Sequence, residues 1–487
     1  MVTIHAKKHD NFSVEFKFGY ECSRTEEKNE YAVNTWIFVP NSISINPESY
    51  GKDQFYRDVK SNVRLITPVY SLEEIADCKS LPLQSLGNAI KSLGAVPVLK
   101  NSENYEYHLK MFAAIFKSAL RNAEHQFRNS RPLDRLVETA SGIDSSCRLI
   151  LQHYRKLSDR IPQDAIFQKE RNYYRMCDEF ISNVLVVRIL RILKKIDLSK
   201  HVSGLQESRG KLLKLVQDEY GYRRSRHFGS LGDDPVANRE LVYHNGMLKK
   251  FVESDLYICL EKKKDGVAVE QLYYSVAAGI AMIFATAVAW LTQVRFGNIT
   301  WPLFVVLVIS YMMKDRIKEL MRFYFAHRLG NKYYDKKARI SIGKKKVGFL
   351  REGVDFISLD RTPETVKEKR NRTVTIDDAS RIFDEKILLY RKRVSIDGKV
   401  MSGIGEYPMK GINEIMRLHL NRFTLKMDNP EVPIDQLSAD GTINTLKVQK
   451  IYYLNIVFQI CGGNECSYRH FRILMTRNGI LKVEDIR

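Results

Sequence analysis

The pattern of apolar and polar positions changes along the chain, and each change predicts a different kind of element. Near the N-terminus, the stretch NFSVEFKFGY alternates apolar residues with polar neighbours, which is typical of a half-buried β-strand. From about Tyr105 to Phe228 apolar residues recur every three or four positions, which predicts a helical bundle or coiled coil. Strand patterns return after about residue 338, and their final turn is predicted at Asn478 and Gly479, a pair typical of a hairpin.

Two long stretches of the chain carry no charged side chain. Tyr273 to Leu291 covers nineteen residues and Phe296 to Met313 covers eighteen. Each is close to the length of about 20 residues that a helix needs to cross a bilayer. The pattern therefore predicts a two-helix transmembrane hairpin over residues 273–313, with a short turn around Arg295. A buried helical pair in a soluble core is the alternative, and periodicity alone does not exclude it.

Aromatic and basic residues around these stretches favour the membrane interpretation. Five aromatic residues lie near the predicted helix ends, as expected of belts at the two membrane interfaces: Tyr273, Tyr274, Trp290, Trp301 and Tyr311. Lysines crowd both outer flanks, in EKKK at 261–264 and KDRIK at 314–318. By the positive-inside rule, we expect both flanks to be cytoplasmic.

Small residues recur every four positions along the first uncharged stretch. They form a smooth helix face that permits close approach of another backbone: Ala277, Ala281, Ala285 and Ala289. Two partners for this face remain open, the second helix of the same chain or a helix of a second copy.

The formal net charge of +21 requires an anionic partner. Basic residues are densest just after the second uncharged stretch, where contact with anionic lipid headgroups is the first interpretation. The residues expected to make this contact are Lys332, Lys336, Lys337, Arg339, Lys344, Lys345 and Lys346. Nucleic acid is a weaker alternative, because few aromatic or base-reading groups accompany this charge.

The cysteine count and the N-terminus bear on the compartment. Seven scattered cysteines are an odd number without framework spacing, which favours a reducing compartment. The first residues contain no apolar signal-peptide core. We therefore expect a multi-pass protein of the plasma or bacterial inner membrane, with both termini in the cytoplasm.

The sequence gives little support for a catalytic or metal-binding site. Cys461, Cys466 and His470 offer three metal-ligand side chains, but their spacing is not that of a zinc site, and no metal or cofactor is predicted. The glycines of SGIGEYPMKG favour a flexible turn over a phosphate loop. A group of carboxylates could hold a metal for phosphodiester chemistry, although a helix cap explains part of it more simply: Asp377, Asp378, Asp384 and Glu385. The pattern favours a protein that is not an enzyme.

Together these observations predict an α+β integral membrane protein. The transmembrane hairpin would lie between an N-terminal β plus helical-bundle lobe and a C-terminal, mostly antiparallel β domain. The expected segments are a β-rich domain at 1–100, a helical bundle at 101–230, a juxtamembrane helix at 231–272, the hairpin at 273–313, a basic juxtamembrane helix at 314–337 and a β-rich domain at 338–487.

The predicted function is that of a membrane-anchored scaffold, sensor or regulator with lobes facing the cytoplasm. Its expected partners are the bilayer, a second copy of the chain, and a protein bound to the C-terminal β domain. Two alternatives remain open: an oligomeric effector that permeabilises membranes, and a membrane-tethered enzyme acting on nucleic acid or nucleotides.

Overall fold

The computed structural model describes residues 2–23, 27–96, 98–198, 203–296, 301–330, 334–343, 345–371, 385–403, 405–463 and 465–486. The chain is α+β and divides into two compact units. Unit 1 comprises Met1–Val63, Ile258–Gly403 and Gly411–Arg487, and unit 2 comprises Arg64–Tyr257 and Ile404–Lys410. Unit 1 is therefore built from three separate stretches of sequence.

The β-strands are numbered in chain order. They are β1 (Val2–Lys8), β2 (Ser13–Glu21), β3 (Asn29–Pro40), β4 (Val59–Leu65), β5 (Cys259–Lys264), β6 (Lys336–Ile342), β7 (Lys345–Ile357), β8 (Glu385–Ile396), β9 (Gly411–His419), β10 (Glu431–Leu437), β11 (Ile443–Gln449), β12 (Tyr452–Gly462), β13 (Glu465–Thr476) and β14 (Gly479–Ile486).

The α-helices are numbered in the same way. They are α1 (Lys52–Asp58), α2 (Leu72–Ala76), α3 (Leu81–Ala95), α4 (Leu99–Asn129), α5 (Leu133–Lys156), α6 (Gln168–Asp197), α7 (Gln206–Ser225), α8 (Pro235–Glu253), α9 (Val267–Phe296), α10 (Trp301–Gly330), α11 (Glu364–Asn371), α12 (Gly398–Ser402) and α13 (Asn421–Thr424).

Two sheets form the body of unit 1. One has the strand order β1-β2-β9-β4, and the other has the order β14-β13-β12-β3-β8-β7-β6-β5. The apolar side chains of β2 are buried, but Ser13 and Glu15 on its other face are buried too, so the strand is not half-buried as its pattern predicts. Phe16 of β2 packs on Phe458 of β12 with ring centroids 5.0 Å apart. The core therefore lies between the two sheets, and segments from both ends of the chain build it.

Unit 2 is mainly helical. Helices α4 to α7 occupy the region where three- and four-residue spacing predicts helices, and that prediction is confirmed. Helix α8 begins at Pro235, inside the segment 231–272 that the sequence predicts as a juxtamembrane helix. The Asp234 side chain accepts a hydrogen bond from the backbone N–H of Val236, 2.9 Å away.

A short segment from the C-terminal half of the sequence completes unit 2. It includes residues 405–410, which belong to SGIGEYPMKG, and it buries Tyr407 and Met409. The Tyr407 hydroxyl lies 2.9 Å from His108 Nδ1, and Ser85 donates a hydrogen bond of 2.8 Å to Glu406. Gly405 has a φ of 72°, and a Cβ there would lie 2.5 Å from the Tyr107 hydroxyl oxygen. The segment is thus a packed part of unit 2.

The predicted two-helix transmembrane hairpin is wrong. In the part of the chain that the structure describes, one helix is long and apolar enough to span a membrane, over Gln271–Arg295 within α9. Helix α10 has only its first turns free of charge, from Trp301 to Met313, and Lys314 follows at once. The uncharged stretch that suggested a second span also includes residues 297–300, which lie outside the described residues. One such helix does not establish an integral membrane protein.

Candidate functional site

Helices α9 and α10 carry a large exposed apolar surface. Each has 30 residues, and the two helices pack on each other. Only 17% of the most apolar window of α9 is buried. Exposed apolar side chains on the pair include Met282, Ile283, Trp290, Leu291, Trp301, Phe304, Ile309 and Met312. An apolar surface of this extent marks a site that a membrane or a partner covers.

The contacts between the two helices define which parts lie side by side. Ser310 of α10 donates a hydrogen bond of 3.5 Å to the carbonyl oxygen of Ala285 of α9. Further from the connection between the helices, the Arg322 guanidinium lies 4.9 Å from the ring centroid of Tyr274. The uncharged first part of α10 therefore lies beside the second half of α9, and its charged part lies beside the first half of α9.

Two neighbouring strands hold the base of the helical pair. Strand β5 leads into α9 and β6 follows α10, and the two pair antiparallel, with Lys264 opposite Lys336 and Cys259 opposite Ser341. The chain therefore leaves the sheet and returns to it at the same place.

Basic side chains are concentrated at this base. Lys264 lies opposite Lys336, and Lys263 lies opposite Lys337, which in turn lies opposite Arg351 of β7. Ala338 is buried on one face of β6, so strand alternation directs Lys337 and Arg339 to the exposed face. Like charges directly opposite each other destabilise a sheet. Asp265 offsets part of this charge, because it lies 3.4 Å from Arg351, and an anionic partner at this face would relieve the remaining repulsion.

Asp335 ties the base of the helical pair to the rest of unit 1. Its carboxylate accepts hydrogen bonds from Lys52 (2.8 Å), from the Tyr56 hydroxyl (3.0 Å) and from the backbone N–H of Val354 (2.8 Å). Its carbonyl oxygen accepts a hydrogen bond of 3.2 Å from the backbone N–H of Asp265, just before α9. One residue thus links α1 and β7 to both ends of the helical pair.

Electrostatics at Asp335 keep this link charged. Burial disfavours the charged form of Lys52, but hydrogen bonds and the charges of Asp335 and Asp355 outweigh it and raise the pKa of Lys52. Burial together with the charge of Asp335 also raises the pKa of Tyr56 well above its usual value. Lys52 is therefore a cation and Tyr56 a neutral hydrogen-bond donor at physiological pH.

The structure describes all the predicted belt and small-residue positions. Tyr273 and Tyr274 lie in the first half of α9, and Trp290 and Trp301 lie near the connection between the helices. Tyr311 follows Ser310 and so lies beside the middle of α9, away from Tyr273 and Tyr274. Ala277 and Ala281 are buried, while Ala285 and Ala289 are half-buried. With Ala285 in contact with α10, this small-residue face supports packing inside the helical pair.

The residues expected to contact lipid do not form one group. Lys336, Lys337 and Arg339 lie at the base of the helical pair on β6. Lys345 and Lys346 pair with Ile342 and Ser341 at the other end of that strand, roughly 13–17 Å further along at the usual strand rise. Lys332 and Lys344 lie outside the described residues.

The sequence candidates for chemistry are not assembled into a site. Cys461 and Cys466 lie opposite each other on β12 and β13 and form a disulfide, which differs from the reducing environment that the cysteine count favours. His470 Nε2 contacts Asn455 Oδ1 at 3.0 Å, and Glu385 accepts a hydrogen bond of 2.8 Å from Arg370. Asp377, Asp378 and Asp384 lie outside the described residues. Within the described ranges no group of three or more His, Cys, Asp or Glu side chains could hold a metal ion.

Sequence reasoning missed Asp335 and the part that β5 plays at this site. The sequence alone indicates only a basic flank at the EKKK stretch, 261–264, whereas strand pairing brings this stretch beside the basic residues of β6. The signal for this pairing in the sequence is a short basic stretch on either side of an apolar helical segment. Comparison with known proteins finds no family model, curated protein or solved structure that matches this chain.

Proposed function

We propose that this chain is a scaffold or regulator attached to a lipid bilayer by the apolar surface of α9 and of the first part of α10. The observation that carries the proposal is this exposed apolar surface, which emerges beside a concentration of basic side chains. Covering one large apolar side chain contributes about 1.5–3 kcal/mol, so lipid contact along the helices is strongly favourable.

The attachment is one-sided. Because β5 and β6 pair directly, both ends of the helical pair emerge on the same side of the bilayer. The depth of insertion is limited by α10, whose 13 uncharged residues, 301–313, extend about 20 Å at the usual helical rise. This length is shorter than the hydrocarbon layer of about 30 Å, so the proposal requires no second span.

The base of the helical pair then lies at the lipid headgroups. Lys263, Lys337 and Arg339 occupy exposed positions there, and each basic residue close to an anionic surface contributes about 1 kcal/mol. The positive-inside rule and the negative charge of cytoplasmic leaflets both favour the cytoplasmic face. The remainder of the chain serves as the scaffold that this attachment holds at the membrane.

Flotation of purified protein with liposomes tests the proposal. We expect the wild-type chain to float with vesicles. Replacing Ile283, 68% exposed, and Ile309, 54% exposed, with aspartate places two charges in the apolar part of the helical pair. This double variant is expected to lose at least about 90% of flotation, since each charge costs about 2.5–3.5 kcal/mol at the bilayer centre.

Leu359 supplies the matched control. It is 54% exposed in unit 1 but lies outside both helices, so Leu359→Asp is expected to float like the wild type. Circular dichroism of all variants establishes that each is folded. Wild-type protein that stays in the soluble fraction, or a double variant that floats as well as the control, would show that lipid does not cover this surface.

A further inference from the structure

A cavity of about 500 Å³ lies in unit 2, where the loop before α6, the first turns of α6 and the end of α7 meet. Its lining comes from three stretches of sequence, within residues 158–163, 171–178 and 225–228. We call this cavity the arginine cleft, after the three arginines that line it: Arg171, Arg175 and Arg226. Small-molecule sites have volumes of about 300–1,000 Å³, so the cleft has room for one small ligand.

The three arginines of the cleft carry charge that no carboxylate neutralises. In the described part of the chain none of them forms an ion pair with an acidic side chain, whereas four other arginines of α5 to α7 each do: Arg148, Arg155, Arg188 and Arg209. Arg171 donates to the carbonyl oxygens of Pro162 (2.9 Å) and Asp164 (2.7 Å). Arg226 donates to the Tyr222 hydroxyl at 3.2 Å. These neutral acceptors orient the guanidinium groups and leave their charge for an anionic ligand.

The acidic residues of the lining do not cancel this charge. Asp178 is 3% exposed, lies 3.5 Å from the guanidinium of Arg155 and accepts a hydrogen bond of 2.5 Å from the Tyr222 hydroxyl. Arg155 also binds Glu219, so it is shared between two carboxylates. Asp159 is exposed. With three arginines against two carboxylates, the lining keeps a net positive charge.

His227 lines the cleft in a backbone conformation that favours glycine. Its φ is 54°, and it lies just after the last residues of α7. The backbone N–H of His227 bonds the carbonyl oxygen of Arg224 at 3.2 Å, and that of Phe228 bonds the carbonyl oxygen of Arg223 at 2.9 Å, which closes the helix end. Glycine is the usual residue at such a position, so a histidine there costs stability. A strained residue that lines a cavity indicates a functional role.

We propose that the arginine cleft binds a small phosphomonoester, whose phosphate group contacts Arg175, Arg226 and His227. The planar guanidinium donates two parallel N–H groups to phosphate oxygens, and all three side chains are exposed and accessible to a ligand. This binding site belongs to unit 2 and is independent of the membrane attachment proposed above.

The rest of the lining indicates what the phosphate is attached to. A phosphate group alone occupies only a small part of the cleft, and Ile161, Tyr174 and Phe228 offer apolar and aromatic surface to the remainder of the ligand. An aromatic group stacks on such side chains. A nucleoside monophosphate combines both features and is the probe that this lining favours.

Calorimetric titration of the full-length chain in detergent micelles tests the proposal, with adenosine monophosphate, inorganic phosphate and adenosine as separate probes. We expect the monophosphate to bind with a Kd at least about tenfold below that of either part alone. The double variant Arg175→Ala, Arg226→Ala should raise this Kd by about thirtyfold or more, because two charge-assisted contacts are lost.

Arg160→Ala together with Arg224→Ala is the matched control. Both residues are exposed, and they lie in the same loop and the same helix end as the cleft, but neither lines it. The control removes the same charge and should leave Kd within about threefold. Circular dichroism establishes that each variant is folded.

His227→Gly separates binding from folding. Glycine adopts a φ of 54° without strain, so this variant should be at least as stable to heat as the wild type, while its Kd for the monophosphate rises about fivefold. Four results would each overturn the proposal: no binding by the wild type, equal affinity for inorganic phosphate and the monophosphate, equal losses in the two arginine variants, and unchanged binding by His227→Gly.

Discussion

At the scale of single residues, a buried ion pair joins the two sheets of unit 1. Lys392 of β8 binds Glu414 of β9, with side chains that are 1% and 0% exposed. Glu414 also accepts hydrogen bonds from Ser61 and from the Tyr20 hydroxyl. Burial opposes ionisation of Glu414, but the charge of Lys392 and these hydrogen bonds outweigh it, so the pKa of Glu414 lies below its usual value. Nothing in the basic run RKRVSI distinguishes Lys392 from its neighbours Arg391 and Arg393.

Replacing Lys392 with methionine should destabilise unit 1 severely. The substitution leaves Glu414 buried without its cation, which costs about 3–5 kcal/mol of unfolding free energy at neutral pH. Because the folded state lowers the pKa of Glu414, the stabilisation by the pair is fully present above pH 4.5, the usual pKa of this carboxyl. It is lost as the pH falls through the folded-state pKa. Urea unfolding at neutral and acidic pH measures both effects.

Arg393 is the control for this substitution. It is the next residue on β8 and pairs with Glu30, and both side chains are about half exposed. Arg393→Met is therefore expected to cost less than about 1 kcal/mol at either pH. If the two variants lose similar amounts of unfolding free energy, the Lys392–Glu414 pair does not stabilise unit 1 as argued.

At the scale of elements, local patterns predicted what each segment is but not what it packs against. The helices of unit 2 follow from three- and four-residue spacing, and β13 and β14 pair across Asn478 as predicted. The partners of β3 could not be predicted, because β3 lies between β8 and β12, more than 340 residues later in the chain. Periodicity reports which side of a strand is buried and carries no information about its neighbour.

The second uncharged stretch shows why composition alone misjudged α10. The uncharged stretch of the sequence begins at Phe296, while the described helix begins at Trp301 and its charged residues begin at Lys314. The pairing of β5 with β6 concentrates charge at the base of the helical pair. It could not be predicted either, because the two strands are about 70 residues apart in the sequence. The contact between anionic lipid and the basic residues of β6 that the sequence predicts stays a prediction.

Charge reversal at the base should weaken attachment to anionic membranes. Lys263→Glu, Lys337→Glu and Arg339→Glu together replace three attractions with repulsions at the exposed face. At about 1 kcal/mol per residue for each attraction lost, partitioning should fall at least about a hundredfold. Binding to neutral vesicles should change little, because the apolar surface is intact. Cosedimentation with vesicles of graded anionic lipid content measures the difference.

Lys345 and Lys346 serve as the control within the same strand pair. They lie at the far end of the β6–β7 hairpin, so their reversal to glutamate should affect partitioning much less. If the far-end variant weakens binding as much as the variant at the base, overall charge and not this location determines attachment. At high salt the attraction to the headgroups is screened, so the two variants should partition onto vesicles to a similar extent.

At the scale of the whole molecule, the two units are not separate stretches of sequence, because a short segment between two parts of unit 1 belongs to unit 2. The chain leaves unit 1 after Gly403, contributes residues 405–410 to unit 2, and returns to unit 1 at Gly411. Tyr407 is the largest fully buried side chain of that segment, and its hydroxyl contacts His108 of α4. Burial lowers the pKa of His108, although Glu406 opposes the shift, so a neutral imidazole meets the tyrosine. Unit 2 is thus incomplete without a segment from beyond residue 400.

Replacing Tyr407 with alanine should therefore destabilise unit 2 selectively. Loss of a fully buried aromatic side chain costs about 3–5 kcal/mol, and the cost falls on the helices around it. Hydrogen exchange in peptides from α3 and α4 should accelerate by at least about a hundredfold, while peptides from β12 and β13 in unit 1 keep their rates. Lys410→Ala, at an exposed position of the same segment, should leave the exchange rates of the peptides from both units unchanged. If β12 and β13 accelerate as much as α4, the two units unfold as one cooperative body and the segment does not act on unit 2 alone.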